Sequence, residues 1–441
     1  MSVRPIGQSS ASPALPQVSG DTVASAIPSI TASKATYVVG AGQLYSRLSD
    51  VVSVLKPGDV VDVLGDATYA GGVRFDVPGT ADKKIVIRGV LKNGHRPIIS
   101  GGGDAIEAAG DHYVFEGLEI TGGQNRCFYM HADDVTLRDT LVHDCPNHGI
   151  LGADKDSGSF LMEYVEVRKC GANGVTGSGR QSHPVYMASD EKAHPGSRFR
   201  MQHSWIHDGN GGNNVKSRAE RNEIYYNWIE GAVYHELELV GPDGMDPKVA
   251  REDSDVVGNV FIKSGAFFVV RVGGDGTGET GGRYRFANNT FLVNSDQPVF
   301  RLFDRVEAID MTNNAFFRLA GVGLNILEDK DVKWVGKRTI GGVANFVPTG
   351  SAPPTEWKGT LFGDDAGWES LASSDFHLVK TSPLLGKGTT ASMALTGFPI
   401  DGVLNPPLFE PHRGVVVAIP RQPTGKLSIG AFEGAPAPAT P

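Results

Sequence analysis

From Ala105 onward the chain repeats one phrase of hydrophobic and polar residues, clearest between Asn213 and Leu239. Val215-Lys216-Ser217-Arg218 alternates, a polar turn follows, and Asn222 to Ile229 alternates again. After another turn, Glu236-Leu237-Glu238-Leu239 alternates a third time. Alternation of period two predicts strands with one buried face. The phrase returns every 22–30 residues or so, with longer intervals where loops are inserted. The first strands of successive turns are expected at 105–109, 128–132, 150–153, 185–188, 215–218, 237–240, 270–273 and 300–303. A third-strand row places Ile120, Val142, Val167, Ile206, Ile229, Phe261, Phe291 and Phe316 in register. Asparagine precedes that row at Asn227, Asn259, Asn289 and Asn314. Stacked asparagines at a tight turn can bond one another and tolerate left-handed backbone. Three short strands per turn with such a ladder predict an all-β fold, a right-handed parallel β-helix (solenoid) with an irregular C-terminal tail.

The ends depart from the phrase. Residues 1–35 are rich in Ser, Ala and Pro and are expected to form a disordered leader. They lack the continuous apolar core of an intact secretory signal, as a mature or trimmed N-terminus would. Leu44 to Leu55 has helical spacing and meets Pro57-Gly58-Asp59, so an N-terminal helical cap is expected there. A solenoid needs such a cover, because a bare end exposes strand edges and core. The β-helix with its cap is expected over 36–334. Residues 335–441 should wrap it irregularly and end in a disordered APAPATP.

The 441 residues would ordinarily divide into two or three domains, but a repeat architecture keeps them in one body. A net charge of −9 argues against a uniformly basic nucleic-acid surface. No run of 18 apolar residues offers a membrane span. Three cysteines make no disulfide framework. Cys145 and Cys170 fall at equal positions of consecutive turns and are expected as stacked free thiols, a bridge between them being the alternative.

The opening KPGDVVDVLGDATYAGGVRFDVPGTADKKIVIRG and the late phrases SDFHLVKTSPLLGKG and IGAFEG resemble those of the pectate-lyase-like β-helix superfamily. The resemblance covers roughly residues 36–434. The resemblance implies the fold; a secreted or periplasmic protein, a monomer or simple homo-oligomer, with an acidic polysaccharide as partner is expected beside it.

On a β-helix, outward side chains at one register position form a ladder. One ladder is expected to read Tyr129, Ile150, Tyr186, Lys216, Glu238, Arg271. Two residues earlier it reads Cys127, His148, Pro184, Asn214, Glu236, Val269, and two residues later it includes His131, Gly152, Ala188 and Arg218. The insertions 154–159, 189–197, 241–253 and 273–282 border this patch. Loops on a rigid scaffold commonly carry binding sites. The patch suits β-elimination on a uronic-acid polysaccharide. A base removes the proton beside the carboxylate, and a cation stabilises the resulting anion. Candidate catalytic residues are Lys216, Tyr186, Arg271, Arg218, His148 and His183. Tyr129, His131, Asn213 and His235 are candidate substrate contacts.

The Lys216 coil, with Asn222 and Asn227 following, also resembles the catalytic-lysine coil of polysaccharide lyase family six, the chondroitinase B and alginate lyase group. That resemblance implies Lys216 as base, Arg271 assisting, and calcium held by Asn214, Glu236 and Glu238. The order differs, because in that family the acidic pair precedes the lysine. A glutamate beside a lysine favours the ammonium, which suits carboxylate binding better than proton abstraction. Tyr186, His148 and His183 are therefore rival bases. A glycoside hydrolase using Glu236 and Glu238, or a non-catalytic glycan-binding β-helix, are the alternatives.

Overall fold

The computed structural model describes residues 28–29, 33–172, 182–242, 252–277, 280–318, 323–330, 333–392, 395, 397–400, 404–423 and 425–434. Among these, one sheet holds ten parallel strands, running from Val73–Phe75 to Leu327–Asp329. We refer to it as the groove sheet. The second and third strands of each coil join a 22-stranded assembly. The expected third-strand row is in register from Ile120 to Phe316.

Alternation builds the core. On the groove sheet Val185, Val215, Leu237, Val270 and Phe300 all point inward and are fully buried. On the third strands Phe261, Phe291 and Phe316 stack at centroid spacings of 4.9 and 4.8 Å. The asparagine ladder forms and extends one rung beyond the sequence reading. Asn227, Asn259, Asn289, Asn314 and Asn345 bond in series, Nδ2 to the next Oδ1, at 2.9–3.1 Å. The residue before each adopts left-handed backbone, as at Tyr226 (φ 58°) and Gly258 (φ 68°). A Cβ at Gly258 would meet the Tyr226 ring at 2.7 Å, so glycine suits that position twice over.

Several expectations need correction. The N-terminal helical cap shrinks to one turn, Ser49–Val52, with no side-chain cap at its N-terminus. So short a helix, containing two adjacent valines, has little intrinsic stability. Leu48, Val51 and Leu55 still bury themselves over the first coil, so the cover exists without the helix. Cys145 bonds to Cys127, with Cα atoms 5.9 Å apart, and not to Cys170, which is a buried free thiol. Parallel pairing continues past residue 334, through Ile340–Val343 and Phe346–Pro348 to Leu361–Gly363. Of the leader, residues 1–27 and 30–32 lie outside the described residues, as does APAPATP. Pro28 is placed by its carbonyl, which accepts a bond from Arg138 at 2.7 Å.

The C-terminal chain covers the outer face of the larger assembly. Phe376, Leu378, Ile429 and Phe432 pack on Trp228, Val260 and Leu292. Arg413 pairs with Glu230 at 2.7 Å, and Arg285 donates to the Phe398 carbonyl at 2.9 Å. The groove sheet carries none of these contacts.

Truncating the stacked row tests this account of the core. Phe291→Ala should cost about 3–5 kcal/mol in denaturant unfolding. Phe362→Ala, at a position 55 % exposed, should change stability by no more than about 0.5 kcal/mol. Equal effects would contradict it.

Candidate active site

The groove sheet brings Tyr186, Lys216, Glu238 and Arg271 onto one outward ladder, paired rung to rung. The ladder continues through Arg301 to Glu328, and in the other direction through Leu151, Tyr129, Glu107 and Arg74. Leu151 takes the place expected of Ile150, which is fully buried. The reason is a one-residue slip in the reading at that rung. His148 consequently pairs with Arg126, not Cys127, and Gly152 with Met130, not His131. A slip of one residue exchanges the two faces of a strand.

Glu238 is the electrostatic centre. Its carboxylate accepts from Arg271 Nη1 at 2.6 Å and from Asn213 Nδ2, and lies 3.6 Å from Lys216 Nζ. Burial alone would raise its pKa, but Lys216 and Arg271 outweigh burial and hold it at about 2. Arg271 rests on the Phe303 ring at 3.9 Å. Lys216 Nζ lies 5.2 Å from the Tyr186 ring centroid. Arg218 Nε donates to Tyr186 Oη at 3.0 Å. The other end of that guanidinium is held by the Gly241 carbonyl at 2.9 Å, by Asp275, and by Thr277 Oγ1 at 3.3 Å. Arg218 is thus fixed by loop residues and aimed at one phenol oxygen.

A second row, three residues earlier, holds Arg126, His148, His183, Asn213 and His235. Asn213 is buried and positions its neighbours. Its N–H donates to His183 Nδ1 at 2.9 Å and its Oδ1 accepts the His235 N–H at 3.1 Å. His235 is buried between aromatic rings, 5.7 Å from Phe268 by centroids, and both its ring nitrogens are sealed off without partners. Burial pushes its pKa down to about 3. Asn213 and His235 therefore support the patch from beneath. Tyr129 lies two rungs from Tyr186, with Arg126 over its ring at 3.8 Å. His131 is drawn away to Glu107, at 2.8 Å.

The three calcium candidates do not converge. Asn214 and Glu236 are fully buried under the turn at 231–235. Glu236 accepts from Asn214 Nδ2 at 2.7 Å and from the Ala232 N–H at 3.0 Å, with Lys263 Nζ 3.5 Å away. Burial raises Glu236 to about 7, against the opposing pull of Lys263. Glu238 faces the groove instead, and its oxygens are engaged by N–H donors and cations. Calcium takes six to eight oxygen ligands, so this donor set does not fit it. Among the described residues no group of three or more His, Cys, Asp or Glu is arranged to hold a metal.

The sequence reading missed Arg126, Phe303, Asp275 and Arg301. Arg301 was findable, because Phe300-Arg301-Leu302 repeats the alternation of Val270-Arg271-Val272. Asp275 sits in an insertion whose path no periodicity gives.

No protein-family model and no curated protein sequence matches the chain. Among solved structures it is similar to pectate lyase Pel9A, at 14% identity, over 90% of this chain and 96% of that one, with a TM-score of 0.55. That likeness shows the fold. The chain has the parallel β-helix of the pectate-lyase-like proteins. A looser likeness is to the PL6 family alginate lyase AlyGC (13% identity, 76% of this chain and 55% of that one, TM-score 0.42). Another is to XylC in complex with xylose (10%, 75% and 86%, TM-score 0.48).

The charge cluster makes a pH prediction. Glu238 is held below its ordinary 4.5, so its contribution to stability is complete above that pH and is lost as pH falls toward 2. The stability gap between wild type and Glu238→Gln should shrink over that window. A gap independent of pH would contradict the assigned ion pairs.

Proposed function

We propose that this protein is a polysaccharide lyase that cleaves a uronic-acid-containing polysaccharide by β-elimination along the groove sheet. The observation that carries the reading is the contact of Arg218 Nε with Tyr186 Oη, at 3.0 Å, on the rung beside Lys216. A guanidinium on the phenol oxygen, with an ammonium 5.2 Å from the ring centroid, stabilises negative charge there. Tyr186 then takes the proton from the carbon next to the uronyl carboxylate. The freed electron pair forms the carbon–carbon double bond, and the bond to the leaving sugar oxygen breaks. Lys216 gives its proton to that oxygen. Proton exchange with water returns both groups to their starting states.

Glu238 and Arg271 work beneath this pair. Glu238 holds Lys216 in place, and Arg271 keeps Glu238 ionised and fixed. Charges preorganised in this way need no rearrangement as the anion develops. Calcium enters no step, since the candidate ligands do not fit it. A secreted or periplasmic location, where such polymers are found, belongs to the same proposal. Pel9A, which shares the fold, is named a pectate lyase, in agreement with an acidic glycan. A hydrolase would need two carboxylates flanking the scissile bond, and Glu236 is buried away from the groove.

The chain should therefore release unsaturated, ultraviolet-absorbing ends from at least one of alginate, pectate or a glucuronan. Tyr186→Phe should lower kcat about 10²–10⁴-fold with the melting temperature unchanged, and Lys216→Ala should lower kcat as far while also lowering the melting temperature, because buried Glu238 loses one of its two cations. Reducing ends without absorbance would replace the lyase by a hydrolase, and an unaffected Tyr186→Phe would remove the phenol from the mechanism.

A further inference from the structure

The rings of His148 and His183 flank Tyr186, at centroid distances of 5.9 and 5.4 Å. Main-chain donors fix both. The Asn213 N–H donates to His183 Nδ1 at 2.9 Å, and the His183 N–H donates to His148 Nδ1 at 3.1 Å. A lone pair occupied by an N–H cannot also carry a proton, so the ring proton of each neutral imidazole sits on Nε2. Both rings are held neutral. Burial, then Arg126, lowers the His148 pKa to about 4, and burial, then Lys216, lowers that of His183 well below its ordinary 6.5.

His148 is partly exposed, and His183 is 4 % exposed. Among the described residues, neither Nε2 is one of the unpartnered side-chain nitrogens sealed from solvent, and neither histidine has a further bond there. His235, in the same row, has both nitrogens sealed. Two N–H donors on consecutive rungs, 5.7 Å apart by ring centroids, thus lie unpartnered beside the phenol assigned as base.

We infer that His148 and His183 receive the carboxylate of a uronyl unit through Nε2–H, as fixed neutral donors and not as bases. A carboxylate offers two acceptor oxygens, one for each ring. Lys216 on the next rung supplies positive charge, while Arg126 on the other side is paired with Asp104 at 2.6 Å. Holding the carboxylate here places the adjacent carbon against Tyr186. For either ring to act as base, its proton would have to move to Nδ1, facing an N–H head-on. The choice of ligand rests on the lyase reading. The tautomers and the unpartnered donors do not.

The test titrates the full chain with a saturated oligouronate, and with its neutral methyl ester, by calorimetry, and follows turnover in parallel. Asparagine keeps an acceptor near the Nδ1 position and lacks the outer donor. Glutamine restores an N–H near Nε2 and has no basic lone pair there. Wild type should prefer the acid. His148→Asn and His183→Asn should each lose about tenfold to a hundredfold of that preference, and His148→Gln and His183→Gln should recover most of it together with turnover. Asn variants that keep the preference would overturn the assignment. So would Gln variants that bind as wild type does yet fail to turn over, because only a base needs the lone pair. A wild type that binds the acid without cleaving it keeps this inference and sinks the lyase reading, and one that binds neither ligand sinks both. Should the Asn variants fail to fold, ring-nitrogen NMR of wild type decides. Nε2–H in both rings supports the assignment, and Nδ1–H in either overturns it.

Discussion

Parallel pairing in constant register is the constraint from which everything else in this molecule follows. Each coil repeats the last with its strands one rung further along, about 4.8 Å away. Side chains remote in sequence are thereby forced into columns. Inward columns of Val, Leu and Phe make the core, and inward asparagines close the turns with bonds of 2.9–3.1 Å. Outward columns have no choice of neighbours, so Tyr186, Lys216, Glu238 and Arg271 must meet. The geometry of the proposed site is a by-product of the same hydrogen-bond ladder that holds the fold together.

Within that frame, electrostatics sets the roles. A carboxylate as buried as Glu238 is tolerable only because two cations and an amide satisfy it. The arrangement leaves Lys216 and Tyr186 partly open to the groove, with Arg218 braced behind the phenol. Among the described residues, the C-terminal segments around Phe376 and Ile429 pack on the outer face of the larger assembly. The proposed polymer substrate would meet a rigid column of fixed charges along the helix axis.

The sequence made the solenoid legible because burial on one face of a strand writes a period of two, and coil repetition multiplies that signal. The third-strand row was read in perfect register for this reason. The ladder was read correctly at Tyr186, Lys216, Glu238 and Arg271, where coils follow one another with clear alternation. It slipped at Ile150, because His148-Gly149-Ile150-Leu151 offers two adjacent apolar residues and no polar partner to phase them. The depth of Asn214 and Glu236 was illegible. Both sit two residues from groove-facing side chains, yet the strand has not begun there, and the turn folds them inward. The cap misled for a different reason: Leu48, Val51 and Leu55 have helical spacing, but covering the core required only their burial. The contacts of Arg218 with Asp275 and Thr277 depend on an insertion, and insertions carry no period.

The most direct measurement is a crystal structure of the Tyr186→Phe variant soaked with an oligouronate. The account predicts sugars lying along the ladder. One carboxylate should sit between His148 and His183, its neighbouring carbon within van der Waals contact of the substituted ring's edge, and the glycosidic oxygen beside Lys216 Nζ. An oligosaccharide ordered on another face of the coil, with this ladder bare, would contradict it.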